Sequence, residues 1–217
     1  DGRFDVANVF TLAFDLEAVS DEAVLLQYDV SDKDRLDSEL RLTRTRRDTF
    51  TEGELILFHT LRDSENNSTQ MTRTGGAVFE HRFSPAGLGG IAAFSFDGFA
   101  GARTSGIDGP AGRDVARATA SGYWQRSWIA PGGFVLTALA GGQLDVQRVW
   151  QDTAFNEVET RTTPYGGLEL RWPLQRQDAG GAHVIEPVAQ LVWSPDDGDT
   201  LANEDSLAVE FDETNLF

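Results

Sequence analysis

Three histidines, His59, His81 and His183, are the side chains best suited to hold a metal or carry a proton near neutral pH. They are far apart in the chain, and no two fall at the HxH or HxxxH spacing that brings ligands together. They read as isolated strand residues. The acidic run Asp196, Asp197, Gly198, Asp199, with Glu204 and Asp205 beyond it, holds the carboxylates a calcium loop needs. A loop of the EF-hand type wants Gly at its sixth position and Glu at its twelfth. Here the Gly comes at the third, so a solvated acidic loop fits better. Ser206 follows Asp205, but no G-x-S-x-G elbow is present to raise a serine nucleophile. No G-x-x-x-x-G-K-[ST] loop cradles a phosphate. Carboxylates are too plentiful for any one pair to be singled out for acid/base work. No catalytic, cofactor-binding or metal residue is therefore assigned, and an enzyme is not expected.

Bulk properties narrow the class further. The 217 residues carry 35 acids and 18 bases, a net charge of −17. A nucleic-acid partner is not expected, because phosphate neutralisation needs clustered Lys and Arg. No cysteine is present, which excludes a disulfide framework, a thiolate zinc site and a thiol nucleophile within these residues. Hydrophobic residues make up 40%, and no stretch approaches the roughly 18 apolar residues of a membrane helix. A helical membrane protein is excluded. A membrane β-barrel is not, because its strands face lipid with only every second residue.

The elements that must position these residues are strands. Apolar and polar residues alternate with period two along most of the chain. In residues 4–18 one face reads Phe4, Val6, Asn8, Phe10, Leu12, Phe14, Leu16, Ala18, and the other Asp5, Ala7, Val9, Thr11, Ala13, Asp15, Glu17. Leu36, Leu40 and Leu42 alternate with Asp37, Glu39 and Arg41; Leu168, Leu170 and Trp172 alternate with Glu169 and Arg171. Residues 114–129 and 134–149 form two further long runs. Residues 55–58 are apolar on both faces, and residues 91–103 are rich in Gly and Ala. The breaks carry turn chemistry, at 31–34, 64–67, 84–87, 106–112, 131–133 and 178–181. Pro173 and Pro187 cannot donate to a ladder and belong at strand ends or bulges. The expectation is an all-β chain of roughly nine or ten strands in an antiparallel meander of long hairpins, with no helix long enough for a βαβ plan.

Alternation does not by itself separate a soluble β-sandwich from a transmembrane β-barrel. The first turns its apolar face inward and the second turns it to lipid. Several runs exceed the five or so residues usual in soluble strands and suit the 9–11 of a tilted membrane strand. Trp124, Trp128, Trp150, Trp172 and Trp193 stand toward the ends of their segments, where a barrel carries its interfacial girdle. A secreted β-sandwich acting as a binding module stays open as the alternative, as does a generic outer-membrane channel.

The last third carries a more specific signal. Residues 183–195 contain Glu186, Pro187, Ala189 and Gln190; Asn203, Asp205 and Ser206 follow, then Asp212, Leu216 and Phe217. An EPxAQ strand, an N-x-D-S loop and a D-x-x-x-LF segment in this order resemble the barrel of the lipopolysaccharide-assembly family LptD. Upstream, Val19, Ser20 and Asp21, with Tyr28, Asp29, Arg35 and Leu36, resemble its early hairpins. The form NEDS with EFDETNLF is similar to what an alphaproteobacterial member is expected to carry. The resemblance implies that residues 1–217 are part of a wide transmembrane β-barrel in the Gram-negative outer membrane. The jelly-roll domain and the remaining strands would lie outside this segment, with Phe217 an internal residue. It implies lipopolysaccharide as the cargo, an LptE-like lipoprotein plug, a periplasmic Lpt bridge and outer-membrane lipid as partners, and no cofactor. The family's early prolines are missing, since the first here is Pro85, and so are the cysteines of some members. Glu186 is expected to face the lumen and to hydrogen-bond to the loop around residues 203–206.

Overall fold

The computed structural model describes residues 1–7, 9–18, 33–62, 64–155 and 157–195. Of the motif residues, Asn203, Asp205, Ser206, Asp212, Leu216 and Phe217 lie outside the described residues, as do positions 19–21, 28 and 29 and the acidic run from 196. The described chain is all strand and turn. In order the strands are β1 (Gly2–Val6), β2 (Phe10–Asp15), β3 (Arg35–Thr45), β4 (Thr49–Thr60), β5 (Arg73–Phe83), β6 (Ile91–Ala102), β7 (Asp114–Ala130), β8 (Phe134–Trp150), β9 (Val158–Arg171), β10 (Leu174–Asp178), β11 (Gly181–Ile185) and β12 (Val188–Trp193). Ten of them form one antiparallel meander in the order β1 to β9 followed by β12. β10 and β11 pair separately as a hairpin turning between Asp178 and Gly181. The all-β meander expected from the alternation is thus what forms. Pro173 and Pro187 fall in the gaps that flank the hairpin, where their missing N–H costs no ladder bond.

Residues 4–18 read as a single run, yet the chain turns between Val6 and Phe10, and Ala7 takes a left-handed φ of 53°. β1 and β2 then pair with Phe4 opposite Leu12 and Val6 opposite Phe10. A three-residue connection preserves parity, so the even positions stay on one face through the turn. Period-two alternation is blind to such a turn, and no Gly or Pro marks it.

The chain divides into two compact units. One comprises Asp1–His81, Ser95–Ala120 and Asp145–Thr160; the other comprises Arg82–Phe94, Ser121–Leu144 and Arg161–Phe217. Connections alternate in length. Those after β1, β3 and β7 have three residues (7–9, 46–48, 131–133), whereas those after β4 and β6 have twelve and eleven (61–72, 103–113). In a meander, alternate connections lie at the same end of the strands.

Burial runs opposite to that of a soluble sheet. The buried apolar residues among those described are Leu36, Ala92, Val115 and Val149. The buried polar ones are more numerous: Thr60, Ser105, Arg113, Thr137, Asp145, Gln147 and Asp152. Large apolar side chains stand in the open along the strands, among them Phe4, Leu40, Leu42, Leu55, Leu136, Leu144, Leu168 and Leu170.

Candidate functional site

Register sorts the side chains of the first unit into two faces. On one, Leu12 lies opposite Leu42, Phe14 opposite Leu40, Leu40 opposite Leu55 and Ser38 opposite Leu57. Leu55 is 58% exposed and Leu57 57%. The other face pairs Asp15 with Glu39, Arg41 with Glu54 and Thr43 with Glu52. Arg41 sits between two carboxylates there, its Nε 2.6 Å from Glu39 Oε1 and its Nη2 3.2 Å from Glu54 Oε2. The polar face expected for Glu39 and Arg41 is present, and it carries two carboxylates around one guanidinium. β8 repeats the division. Thr137, Asp145, Gln147 and Val149 are buried, while Leu136, Leu144, Val146 and Trp150 on the opposite parity are exposed. Asp145 accepts from the Thr119 hydroxyl at 2.6 Å, and the Ser127 and Thr137 hydroxyls meet at 2.9 Å.

The motif strand fits the same scheme in the second unit. β12 pairs with β9, Gln190 opposite Glu169 and Ala189 opposite Leu170. Gln190 Nε2 donates to Glu169 Oε2 at 2.7 Å. Glu186, one residue ahead of Pro187, holds Arg171 with Oε1 2.6 Å from Nη2. Glu186, Gln190, Glu169 and Arg171 thus form one polar cluster, while Ala189, Leu191, Leu168 and Leu170 share the apolar face. The loop around residues 203–206, expected to bond to Glu186, lies outside the described residues. The ion pair with Arg171 is what the structure supplies.

The long connections of the first unit are tied to one another. Ser105 N donates to Ser68 O (2.9 Å), and Arg103 Nε to Thr69 O (3.0 Å). Gly109 N donates to Gln151 O at 2.8 Å. Asp108 accepts from both the hydroxyl (2.7 Å) and the backbone N–H (2.9 Å) of Thr153. Those two bonds hold the Asp108 carboxyl below its usual pKa, because they favour the charged acceptor. Deeper in, Arg113 binds Asp152 through two nitrogens, at 2.7 and 2.5 Å to the same oxygen. The Arg113 guanidinium also lies 4.6 Å from the Phe155 ring centre. At the outer rim Arg62 joins Asp34 (2.6 Å) and Glu65 (2.9 Å). The Thr60 hydroxyl and then Arg62 lower the pKa of Glu65. Residues 106–112 and 64–67 carry turn chemistry in the sequence, which does not reveal this interlock. Nothing local announces that Arg113 and Asp152, 39 positions apart, form a pair.

Histidines are used singly. His81 Nδ1 lies 3.1 Å from the Thr49 hydroxyl and 3.1 Å from Asp48 O. His183 Nε2 lies 3.8 Å from Asp178. Among the described residues no three metal-ligating side chains cluster.

What the arrangement offers is therefore two unlike surfaces and a braced set of connections. Comparison with curated proteins gives no match. The family model described as LptD, LPS transport system D, matches residues 1–217, the whole chain, and the chain belongs to that family.

Proposed function

We propose that this segment is part of the wall of an outer-membrane β-barrel that passes lipopolysaccharide to the outer leaflet, with no enzymatic step of its own. The observation that carries the reading is the inverted burial: apolar residues on the open face and polar residues, Thr137, Asp145 and Gln147, on the covered one. A soluble sheet of this composition would leave Leu55, Leu57, Leu136 and Leu144 in water. Each such side chain gains about 1.5–3 kcal/mol when an apolar medium surrounds it. On β8 the uninterrupted apolar positions run from Leu136 to Val146, bounded by Phe134 on one side and by Arg148 and Trp150 on the other. At about 3.4 Å per residue and a tilt near 45°, that stretch rises roughly 24 Å, close to the 25 Å apolar band of outer-membrane barrels.

The polar face then lines a wet lumen. Arg41 with Glu39 and Glu54, and Arg171 with Glu186, are ion-paired groups of the kind such an interior holds, and an LptE-like lipoprotein plug has polar partners there. Barrels of this class keep short turns on the periplasmic side and longer loops outside. That rule puts residues 46–48 and 131–133 on the periplasmic side, where the Lpt bridge delivers its cargo, and the braced connections 61–72 and 103–113 at the cell surface. β1 and β12 bound the sheet, and in hydrocarbon their outer backbone groups must pair with further strands of the same barrel.

Leu12→Arg tests the reading in the full-length protein. A charge on the lipid face near the midplane costs about 2–4 kcal/mol, so heat-modifiable barrel should fall in the outer-membrane fraction. Undiminished assembly counts against a lipid-facing sheet. Passage of small solutes without lipopolysaccharide export favours a generic channel instead.

A further inference from the structure

The apolar face of the first unit changes character where β3 meets its short turn. Arg44 stands on the parity of Leu40 and Leu42, as the last strand position of that face before residues 46–48. On this face the paired positions of β1 to β5 hold no carboxylate, in a chain with 35 acids. The Arg44 guanidinium lies 5.5 Å from the ring centre of Phe10 on the neighbouring β2. Its Nε is buried and has no hydrogen-bond partner among the described residues. Arg46 and Arg47 follow in the exposed turn, so residues 44–48 carry three cations and one acid, Asp48.

An open lane leads away from that turn on the same face. Opposite Arg44 on β4 is Thr51, and opposite Leu42 is Gly53. Gly53 pairs on its other side with Ala77 of β5. Beyond its chain neighbours, a Cβ at Gly53 would meet only the Gly76 carbonyl oxygen, at 3.9 Å. The lane is therefore floored by small residues. Leu42 and Leu40 line it from β3, and Leu55 stands at its far end, all three exposed.

We propose that Arg44, with Arg46 and Arg47, binds the phosphate of an anionic phospholipid in the leaflet beside the short turns, and that one acyl chain of that lipid lies over Gly53, between Leu42 and Ala77, toward Leu55. The inference rests on the membrane reading above. In that setting the order along the strands is the order of a lipid, with cations beside the turn and a bare apolar lane running from them toward the midplane. Arg44 holds a desolvated N–H at the edge of hydrocarbon, and stacking on Phe10 orients its planar set of donors. A phosphate accepts from several such donors at once. Arg46 and Arg47 add attraction for a negative headgroup over the distance that salt leaves unscreened. No carboxylate on the face competes. A protein partner would have to bring both an acid and a ridge that fits the lane. A phospholipid brings anion and chain in one molecule, and its leaflet already surrounds this face. Lipopolysaccharide, the other phosphate-bearing lipid, goes to the opposite leaflet in the reading above.

Native mass spectrometry of the purified full-length protein, titrated with phosphatidylglycerol in detergent, tests the site. Wild type should retain one saturable phosphatidylglycerol that Arg44→Gln binds roughly tenfold more weakly, the loss of one charge-assisted contact. Gly53→Leu should weaken it as well, by filling the lane while every charge stays in place. Arg3→Gln removes a charge from the opposite face, where Arg3 pairs with Ala13, and should leave retention unchanged. Equal retention in wild type and either Arg44→Gln or Gly53→Leu, all heat-modifiable in the outer-membrane fraction, overturns the site and leaves the membrane reading standing. So does an equal loss in Arg3→Gln. A copurified protein or lipopolysaccharide that Arg44→Gln removes in place of phospholipid overturns the occupant. A full-length product found only in the soluble fraction overturns the membrane reading and this site with it.

Discussion

Arg113 shows what a single residue contributes. It is almost fully covered, bonded twice to Asp152 and stacked on Phe155, so the guanidinium meets the Asp152 carboxylate and the Phe155 ring in place of water. Removing Asp152 takes the bonded carboxylate away from a buried charge. Asp152→Ala is expected to cost about 3–5 kcal/mol and to open residues 103–113 to protease. Arg113→Met combined with Asp152→Leu should recover much of that loss, since a packed apolar pair carries no desolvation cost. Urea midpoints of the full-length protein, with protease mapping of the cleaved segment, check both. Asp108 offers a pH test. Its folded pKa is lowered by Thr153, so its contribution is fully present above the ordinary value of 3.8 and is lost as pH falls below that through the folded value. Protease sensitivity of the 103–113 connection should therefore rise in strong acid and stay flat from pH 5 to 8. Thr153→Val should weaken the acid dependence.

At the scale of elements, the strands interlock through close approach as well as hydrogen bonds. The Tyr165 ring of β9 lies over Gly141 of β8, where an added Cβ would stand 2.5 Å from Tyr165 Cζ. Next to it, a Cβ at Gly142 would meet only ordinary contacts at 3.6 and 3.7 Å. Gly141→Ala should therefore destabilise by about 1–3 kcal/mol, as overpacking does, while Gly142→Ala stays near neutral. The temperature of heat modification measures the difference. Elements of this kind were legible in part. The runs 114–129 and 134–149 predicted β7 and β8 to within one residue of their ends, because so long an alternation leaves little freedom of register. The turn at Ala7 was invisible because it keeps parity. Of the motif residues, Glu186 and Gln190 do come together with β9, but through Arg171 and Glu169, partners that depend on strand register rather than on any local pattern. The bracing of residues 103–113 by 151–155 was illegible for the same reason.

Across the whole molecule, function follows from which face meets which medium. A net charge of −17 is compatible with a membrane wall because the acids of β1 to β4 lie mainly on the polar face and in the connections, while Phe4, Leu12, Leu42 and Leu55 share the other. The assignment of lipid to one face and water to the other is the central claim, and this segment is suited to test it because it contains no cysteine. Single cysteines placed in turn at Glu52, Glu54, Leu55 and Leu57 of β4 in the full-length protein, in intact outer membranes, would be reacted with a membrane-impermeant maleimide. The account predicts labelling at Glu52→Cys and Glu54→Cys and protection at Leu55→Cys and Leu57→Cys. Uniform labelling of all four, or labelling of the two leucine positions alone, would contradict it.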